Sequence, residues 1–438
     1  MKYFGTDGIR DHADKFTSEF LAKIIKGLTD YAGTHIKIML GGDTRESTEW
    51  ILQDLATACE TFGIEYANVG VLPTPAINYC FYQMSYDFAI DVTASHNPYT
   101  DNGIKIFERG KTSGTKLSTK GCETIEQALI ENTPYTPVSP TMQEDLHGEA
   151  LALYKNHLLN CLGNANLNKL TIGIDCANGA TSVIGEAIFN ALGGETQLIH
   201  ANANYDTGIN HDCGSTHPES LQQLVKANHL DLGVAFDGDG DRCLCVDHTG
   251  ALVDGDQIIA ILADYLKLDQ IAITVMANQG ILNWAKDHHV KTEITPVGDS
   301  NVAAAMRTHN IQLGGEQSGH IILPNETTGD GMLTALMIAK VIADTKKPLH
   351  DLASIITKFP QAIVNLPANK EQKQSLKTSD EAKQLLLDYS KKLESVSGRL
   401  LVRPSGTEPL IRITMWGNDE ATITALANEL KTKLGEIL

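Results

Sequence analysis

The chain has 438 residues, with 35 Lys plus Arg against 54 Asp plus Glu and a net charge of −19 at pH 7. Such an acid excess argues against a broad nucleic-acid or anionic-membrane surface. A content of 42% hydrophobic and 20% charged residues excludes a disordered, collagen-like or membrane-embedded chain. The length allows about two to four domains at roughly 100–200 residues each. The net charge does not bar a small anion, because a local cluster of Arg overrides the global sign.

The first residues, Met1 to Asp7, lack an apolar signal core, and no run approaches the roughly 18 apolar residues of a spanning helix. A cytoplasmic protein is expected, with no nucleic-acid or membrane partner. The eight Cys are scattered without a CxxC pair; Cys59, Cys80, Cys176 and Cys243 sit in apolar runs, and Cys243 and Cys245 form a lone CxC. Reduced structural thiols are expected.

Taken along the chain, three segments begin alike. Residues 36–40 run into Gly41-Gly42-Asp43, residues 170–175 into Cys176-Ala177-Asn178-Gly179, and residues 271–276 into Ala277-Asn278-Gln279-Gly280. Each reads as a buried strand followed by a helix, at 48–62, 182–192 and 281–288. Each unit then has a later strand, at 88–93, 232–236 and 311–313, that ends in a polar loop. Residues 133–140, rich in Pro and Thr, read as a linker. The tail is different: a helix at 379–395 with Ser379 as N-cap, strands at 400–402 and 410–415, and a last helix from about Asp419 capped by Asn418. The expected fold is α/β, three similar mixed α/β domains plus a smaller C-terminal α+β domain, at 1–140, 150–250, 251–365 and 370–438.

Four loops carry chemistry. In Asp237-Gly-Asp-Gly-Asp241-Arg242 the two glycines let the chain curl. Three carboxylates turned to one point repel one another unless a cation lies between them, and oxygen-only ligands suit Mg²⁺ or Ca²⁺. It is not an EF-hand, since Arg242 and His248 stand where Gly and Glu are needed. The second loop is Thr93-Ala-Ser95-His96-Asn-Pro98, followed by Lys105. It lacks the glycines of a nucleophile elbow, so Ser95 reads as a hydroxyl that gives or takes a phosphoryl group beside a metal. In the third, Arg403-Pro-Ser405-Gly406-Thr407-Glu-Pro409 with Arg412, hydroxyls, a Gly amide and two guanidiniums make a phosphate grip. In the fourth, Gly314-Gly-Glu316-Gln-Ser318-Gly-His320, small residues admit a ligand to the backbone, Glu316 and Ser318 can hold sugar hydroxyls or an amine, and His320 can move a proton.

These loops, in this order, resemble the α-D-phosphohexomutase superfamily over nearly the whole chain, from Phe4-Gly-Thr-Asp-Gly-Ile-Arg10 to Arg412. The runs 93–105, Cys213-Gly-Ser-Thr-His-Pro-Glu219 and 315–320 are closest to the members that act on glucosamine phosphates. The resemblance implies four domains around a central cleft and an isomerase that interconverts a hexosamine 6-phosphate and its 1-phosphate, for nucleotide-sugar and cell-wall precursor synthesis. It implies Ser95 as phosphoserine, one Mg²⁺ held by Ser95 through its phosphate with Asp237, Asp239 and Asp241, and glucosamine 1,6-bisphosphate or glucose 1,6-bisphosphate as activator and intermediate. It also implies Arg10, Lys105 and His320 for proton transfer and charge stabilisation, and Arg242, with His96 nearby, at the transferred phosphate. Glu316 and Ser318 would bind the sugar; Arg403, Ser405, Gly406, Thr407 and Arg412 would hold the phosphate that is not reacting. The small phosphosugar is the expected partner, and a homodimer is compatible with the sequence.

The chain departs from the family wording at Asp11, where Gly is usual, at Asp299-Ser300-Asn301, where Arg-Tyr usually follows the Asp, and at Trp416-Gly417, which lacks a customary Glu. Other readings are a phosphoglucomutase or phosphomannomutase of the same superfamily, a sugar-phosphate-binding homologue without turnover, and a phosphatase with an Asp nucleophile, which leaves the Ser95 loop unexplained.

Overall fold

The structure is a computed structural model, and it describes residues 1–5, 7–111, 113–131, 135–138, 145–405 and 409–438. The chain forms two compact units, one of residues 1–274 with 293–354 and a second of residues 275–292 with 355–438.

Unit 1 holds three mixed sheets. The first contains β1 (Phe4–Gly5), β2 (Gly8–His12), β3 (Lys37–Gly42), β4 (Glu65–Val71), β5 (Phe88–Val92), β6 (Asp101–Arg109) and β7 (Gly114–Lys116). Its order is β1-β2-β6-β5-β3-β4, with β7 on β6. β3 is parallel to β4 and β5, whereas β6 is antiparallel to β5. β5 is buried throughout, so its strand pattern is a continuous apolar run interrupted by one acid, Asp91. The helices Ser18–Ala32 and Glu46–Phe62 close one core with Ile24, Leu28, Ile38, Leu55 and Ile90.

The second sheet contains β8 (Thr171–Asp175), β9 (Glu195–Ile199), β10 (Leu232–Phe236), β11 (Cys243–Asp247) and β12 (Leu252–Val253), in the order β12-β11-β10-β8-β9. The third contains β13 (Gln270–Thr274), β14 (Lys291–Thr295), β15 (Gly314–Gly315) and β16 (Ile321–Ile322), in the order β14-β13-β15-β16. In each, parallel neighbours place loops at the carboxyl ends of strands, where open α/β sheets bind ligands.

Unit 2 contains β17 (Gln361–Pro367), β18 (Arg399–Pro404) and β19 (Leu410–Trp416), an antiparallel sheet in the order β17-β19-β18. Helices Asp380–Leu393 and Glu420–Ile437 cover it through Tyr389, Leu393, Ile423 and Leu430.

Three local expectations are corrected. Residues 311–313 are not a strand: pairing with β13 begins at Gly314, where a Cβ would meet Met306 Sδ at 2.8 Å and the Ala272 carbonyl at 2.9 Å. The last helix is capped by Asp419, whose side chain accepts from Thr422 N–H, rather than by Asn418. Residues 182–192 are not one helix; a 3-10 turn at Ala180–Val183 precedes helix Gly185–Ala191, and Ala180 N–H donates to the Gly238 carbonyl at 2.8 Å. Ser379 does cap its helix, accepting from Ala382 N–H. All eight cysteines are free, and among the described residues no helix is long and apolar enough to cross a membrane.

Asp330 ends the segment after β16 and caps helix Gly331–Thr345, accepting from Leu333 N–H at 2.8 Å and from the Tyr154 hydroxyl at 2.9 Å. Burial pushes its carboxyl up to about 7. The folded state therefore keeps this proton to higher pH than the unfolded chain does. Its contribution to stability is greatest below about pH 4 and falls by on the order of 4 kcal/mol as pH rises to about 7. The Asp330→Asn variant is expected to lose that slope. Urea-unfolding midpoints of both proteins between pH 4.5 and 7.5 test this, and equal slopes would contradict it.

Candidate active site

The Asp237 loop leaves β10 and returns as β11. Its three carboxylate residues are buried, at 1%, 1% and 3% exposure, so it is not a solvated acidic turn. Gly240 takes φ +70°, and a Cβ on Gly238 would lie 2.7 Å from both the Ser95 carbonyl oxygen and Asn210 Nδ2. The glycines thus serve curvature and close approach to the serine loop. The Gly238→Ala variant is expected to lose about 10²-fold in turnover, the cost of displacing reacting groups by roughly 1 Å. Steady-state kinetics beside an unfolding curve check it; unchanged turnover would refute the close-approach account.

One carboxylate oxygen from each of Asp237, Asp239 and Asp241 lies within 4.8 Å of the others. Asp239 Oδ1 and Asp241 Oδ1 are buried without a hydrogen-bond partner, an expensive state for acceptors unless a cation completes them. Burial, then Asp239 and Asp241, push Asp237 well above the usual carboxylate range. The donor set is oxygen only, buried and partly unsatisfied, and it fits a hard divalent cation.

Ser95 follows β5, fully buried, with φ +53°. Its Oγ–H donates to Asp237 Oδ2 at 2.7 Å, and His96 Nδ1 lies 3.3 Å away. Burial, then Arg242 and Arg10, lower His96 to about 4, so it is neutral near pH 7. Lys105 lies on β6 opposite Asp91, not in the serine loop. Its Nζ reaches Asp239 at 2.6 Å, Asp241 at 3.0 Å and Asp7 at 3.3 Å. Burial opposes its charge, but these three acids outweigh burial and hold it well above the ordinary lysine range. Lys105 is thus buried as a cation among three acids. Burial likewise opposes ionisation of Asp241, and Lys105, His320 and Arg242 overcome it, giving about 2.

Arg242 Nε lies 3.8 Å from both Asp237 and Asp241. Arg10 pairs with Asp7 at 2.5 Å. His320 is 2% exposed; its Nε2 lies 3.2 Å from Gly329 N, 3.7 Å from Asp299 and 4.0 Å from Asp241, and its Nδ1 has no hydrogen-bond partner. Glu316 Oε1 accepts from Gly298 N–H at 3.1 Å, and Ser318 is exposed. Beside His320 a cavity of about 300 Å³ is lined by Lys116, Asp299, Ser300, Arg307 and Thr328. Ser300, one of the departures from the family wording, thus faces the cavity that holds His320.

Several residues were not singled out by sequence. Thr74 Oγ lies 2.5 Å from Asp91 Oδ2 and 2.9 Å from Asp239 Oδ2. The Thr74 hydroxyl is thus held between the two carboxylates, and burial pushes Asp91 well above the carboxylate range. Lys116 bridges Asp7 and Asp299. Arg45, wholly buried, pairs with Asp43 at 2.9 Å and donates to the carbonyls of Ser95 at 2.8 Å, Asn97 at 2.9 Å, Asp101 at 3.0 Å and also Pro98. Asn210 adds a bond to the Ser95 carbonyl at 2.8 Å. The available signal was Asp43-Thr44-Arg45 directly after a buried strand and two glycines.

In unit 2, Arg403 and Arg412 face each other across the β18–β19 pair. Arg412 Nε donates to Asn365 at 3.2 Å, and the Ser405 carbonyl takes Lys373 Nζ at 2.7 Å. Gly406 and Thr407 lie outside the described residues.

A buried serine hydroxyl on a three-carboxylate cation site, ringed by fixed cations, defines a phosphoryl-transfer centre. Four family models match the chain in order: Phosphoglucomutase/phosphomannomutase alpha/beta/alpha domain I at 1–136, domain II at 152–250, domain III at 254–359 and the C-terminal domain at 363–433. The chain belongs to the phosphoglucomutase/phosphomannomutase family, as an isomerase of the phosphohexomutase type. Within it the chain is similar to phosphoglucosamine mutases. That of Caldicellulosiruptor bescii is 40% identical over 456 residues, 99% of each chain, and that of Caldanaerobacter subterraneus subsp. tengcongensis 38% over 442 residues, 98% of each. A solved structure of Aspergillus fumigatus N-acetylphosphoglucosamine mutase, in complex with GlcNAc-6P and magnesium, shares the fold at TM-score 0.64 and 18% identity, covering 99% of this chain and 95% of that one.

Proposed function

We propose that this protein interconverts glucosamine 6-phosphate and glucosamine 1-phosphate through a phosphoserine at Ser95 and a 1,6-bisphosphate intermediate. The observation that carries the reading is Ser95 Oγ at 2.7 Å from Asp237, at the edge of a buried, partly unsatisfied carboxylate cluster. Full-length similarity to phosphoglucosamine mutases supports the choice of sugar. The four ranges 1–140, 150–250, 251–365 and 370–438 are proposed as modules, supported by the four family-model matches.

In the first half-reaction the phosphorus–Oγ bond of phosphorylated Ser95 breaks and a bond to the sugar O1 forms, with the O1 proton passing to a base. The bisphosphate then reorients, its O6–phosphorus bond breaks as the phosphoryl returns to Ser95 Oγ, and O6 takes the proton back from that base, which regenerates the enzyme and frees the 1-phosphate. Asp237, Asp239 and Asp241 would hold Mg²⁺, which supplies Lewis-acid polarisation of the phosphoryl oxygens when bound. Lys105 and Arg242 are cations already in place, so charge gathering on the transferred group is met without rearrangement. Arg10 is proposed to join them. His320, beside the cavity, is proposed to take part in proton transfer. Glu316 and Ser318 are proposed to take the sugar hydroxyls or amine, His96 to border the phosphate, and Arg403, Ser405, Gly406, Thr407 and Arg412 to hold the phosphate that is not reacting.

Ser300 and Asn301 motivate a second reading, phosphoglucomutase or phosphomannomutase activity. A panel of glucosamine, glucose and mannose 6-phosphates, each with its 1,6-bisphosphate, separates the readings. The highest kcat/KM is expected for glucosamine 6-phosphate. Faster turnover of mannose or glucose 6-phosphate overturns the sugar, and binding without turnover of any sugar overturns the enzyme.

A further inference from the structure

We propose that His157, Cys161 and Glu326 form a second metal site, for a borderline transition metal of the zinc type, tying helix His147–Leu162 to the segment that leads into Asp330. His157 and Cys161 are four residues apart on that helix and so share a face. Glu326 faces them from the segment after β16. His157 Nε2 lies 3.0 Å from Glu326 Oε1, and Cys161 Sγ lies 3.8 Å from both ring nitrogens. One ligand atom from each of the three lies within 4.8 Å of the others.

Magnitudes favour a tetrahedral ion. With metal–nitrogen bonds of ~2.0–2.1 Å and metal–sulfur bonds of ~2.3 Å, tetrahedral angles put nitrogen and sulfur about 3.6 Å apart and nitrogen and oxygen about 3.3 Å apart. The observed 3.8 and 3.0 Å bracket those values, so adjustments of a few tenths of an ångström suffice. The Tyr79 ring stacks on His157 at 4.0 Å and 24°, which fixes the imidazole plane. His157 and Glu326 are 15% and 16% exposed, whereas Cys161 is exposed, which gives a metal an entry path and leaves a position for water. Nitrogen, sulfur and oxygen together select zinc-like ions over Mg²⁺.

The cluster of Asp175, His200 and Cys213 lacks this readiness. Asp175 already accepts from Ala177 N–H at 2.9 Å, Gly214 N–H at 3.0 Å and His200 Nδ1 at 3.1 Å. Glu326, by contrast, offers a carboxylate engaged by His157. The segment it anchors continues through Thr327, bonded to the Gly114 carbonyl at 2.8 Å, to Gly329, whose N–H holds His320.

The test uses the full-length protein with excess Mg²⁺ present to fill the oxygen site, titrated with Co²⁺ and then Zn²⁺. One equivalent of Co²⁺ is expected to bind with a thiolate-to-cobalt charge-transfer absorption, be displaced by Zn²⁺, and release a proton from Cys161. In Cys161→Ser the absorption disappears, and Zn²⁺ affinity falls by more than the ~10–100-fold that even outer-sphere partners contribute. Glu326→Gln keeps the thiolate band but weakens affinity, and Zn²⁺ raises the unfolding midpoint of the wild type more than that of either variant. Failure of the wild type to retain one equivalent of Co²⁺ or Zn²⁺ in the presence of excess Mg²⁺ overturns the proposal. So does an absorption and affinity that survive in Cys161→Ser with its metal-free unfolding midpoint unchanged.

Discussion

Ser95→Ala is expected to lower kcat by at least about four orders of magnitude while the protein stays folded. Ser95 Oγ is bonded to Asp237 at 2.7 Å, whereas the other hydroxyl on the cluster, that of Thr74, is held between Asp91 and Asp239. Its neighbour His96 is a poor substitute: burial and two guanidiniums hold it near 4, and its Nδ1 stands 3.3 Å from Oγ rather than at the acids. Intact mass should show a phosphoryl group on the wild type after incubation with the bisphosphate and none on the variant. Asp237, Asp239 and Asp241 remain in Ser95→Ala, so its divalent-cation affinity should stay near that of the unphosphorylated wild type. Near-wild-type turnover in Ser95→Ala would sink the phosphoserine cycle, whatever sugar is used.

Arg45→Met is expected to cost about 3–5 kcal/mol of stability and to slow the remaining folded enzyme by about 10²-fold. Arg45 and Asp43 are both wholly buried and paired at 2.9 Å. Thr48 and Thr93 also donate to Asp43, at 2.9 and 2.7 Å, but neither carries charge, so loss of the guanidinium leaves an uncompensated buried carboxylate. The same guanidinium holds the carbonyls of Ser95, Asn97, Pro98 and Asp101. With these donors gone, Ser95 loses much of what keeps it at φ +53°. Arg45→Lys restores the charge but not the fork of donors, and its stability should recover more than its turnover. Urea unfolding and kinetics on both variants separate the two effects; equal recovery would show that Arg45 acts through charge alone.

Much of the molecule was legible in the residues themselves. The strand at 232–236 coincides with β10, and Ser379 caps its helix, because both depend on signals within a few residues: apolar burial in a run and a hydroxyl before a helix. The alternation of Asp and Gly at 237–241 announced a curled acidic loop for the same reason. Where a signal was short or shared, it failed. Ile311 and Leu313 look like a strand, yet pairing waits for two glycines, because Ala272 and Met306 leave no room for a Cβ at Gly314. Asn418 and Asp419 are both good caps, and only the backbone geometry selects Asp419.

The sequence by itself determined which chemical groups are present: a serine, three alternating carboxylates, several cations and a second grip rich in Arg. It could not say which of them meet. Lys105 is ten residues from Ser95 but more than 130 from Asp239 and Asp241, and strand register, not proximity in the chain, carries it to them. Arg45 and Thr74 carry no motif; they matter because folding strips water from them and leaves their polar atoms to find partners inside the protein. The net charge of −19 shows the same division. Composition argued against extended polyanions, and the tertiary structure decided that three of the acids are buried at one point, with Lys105 and Arg242 beside them.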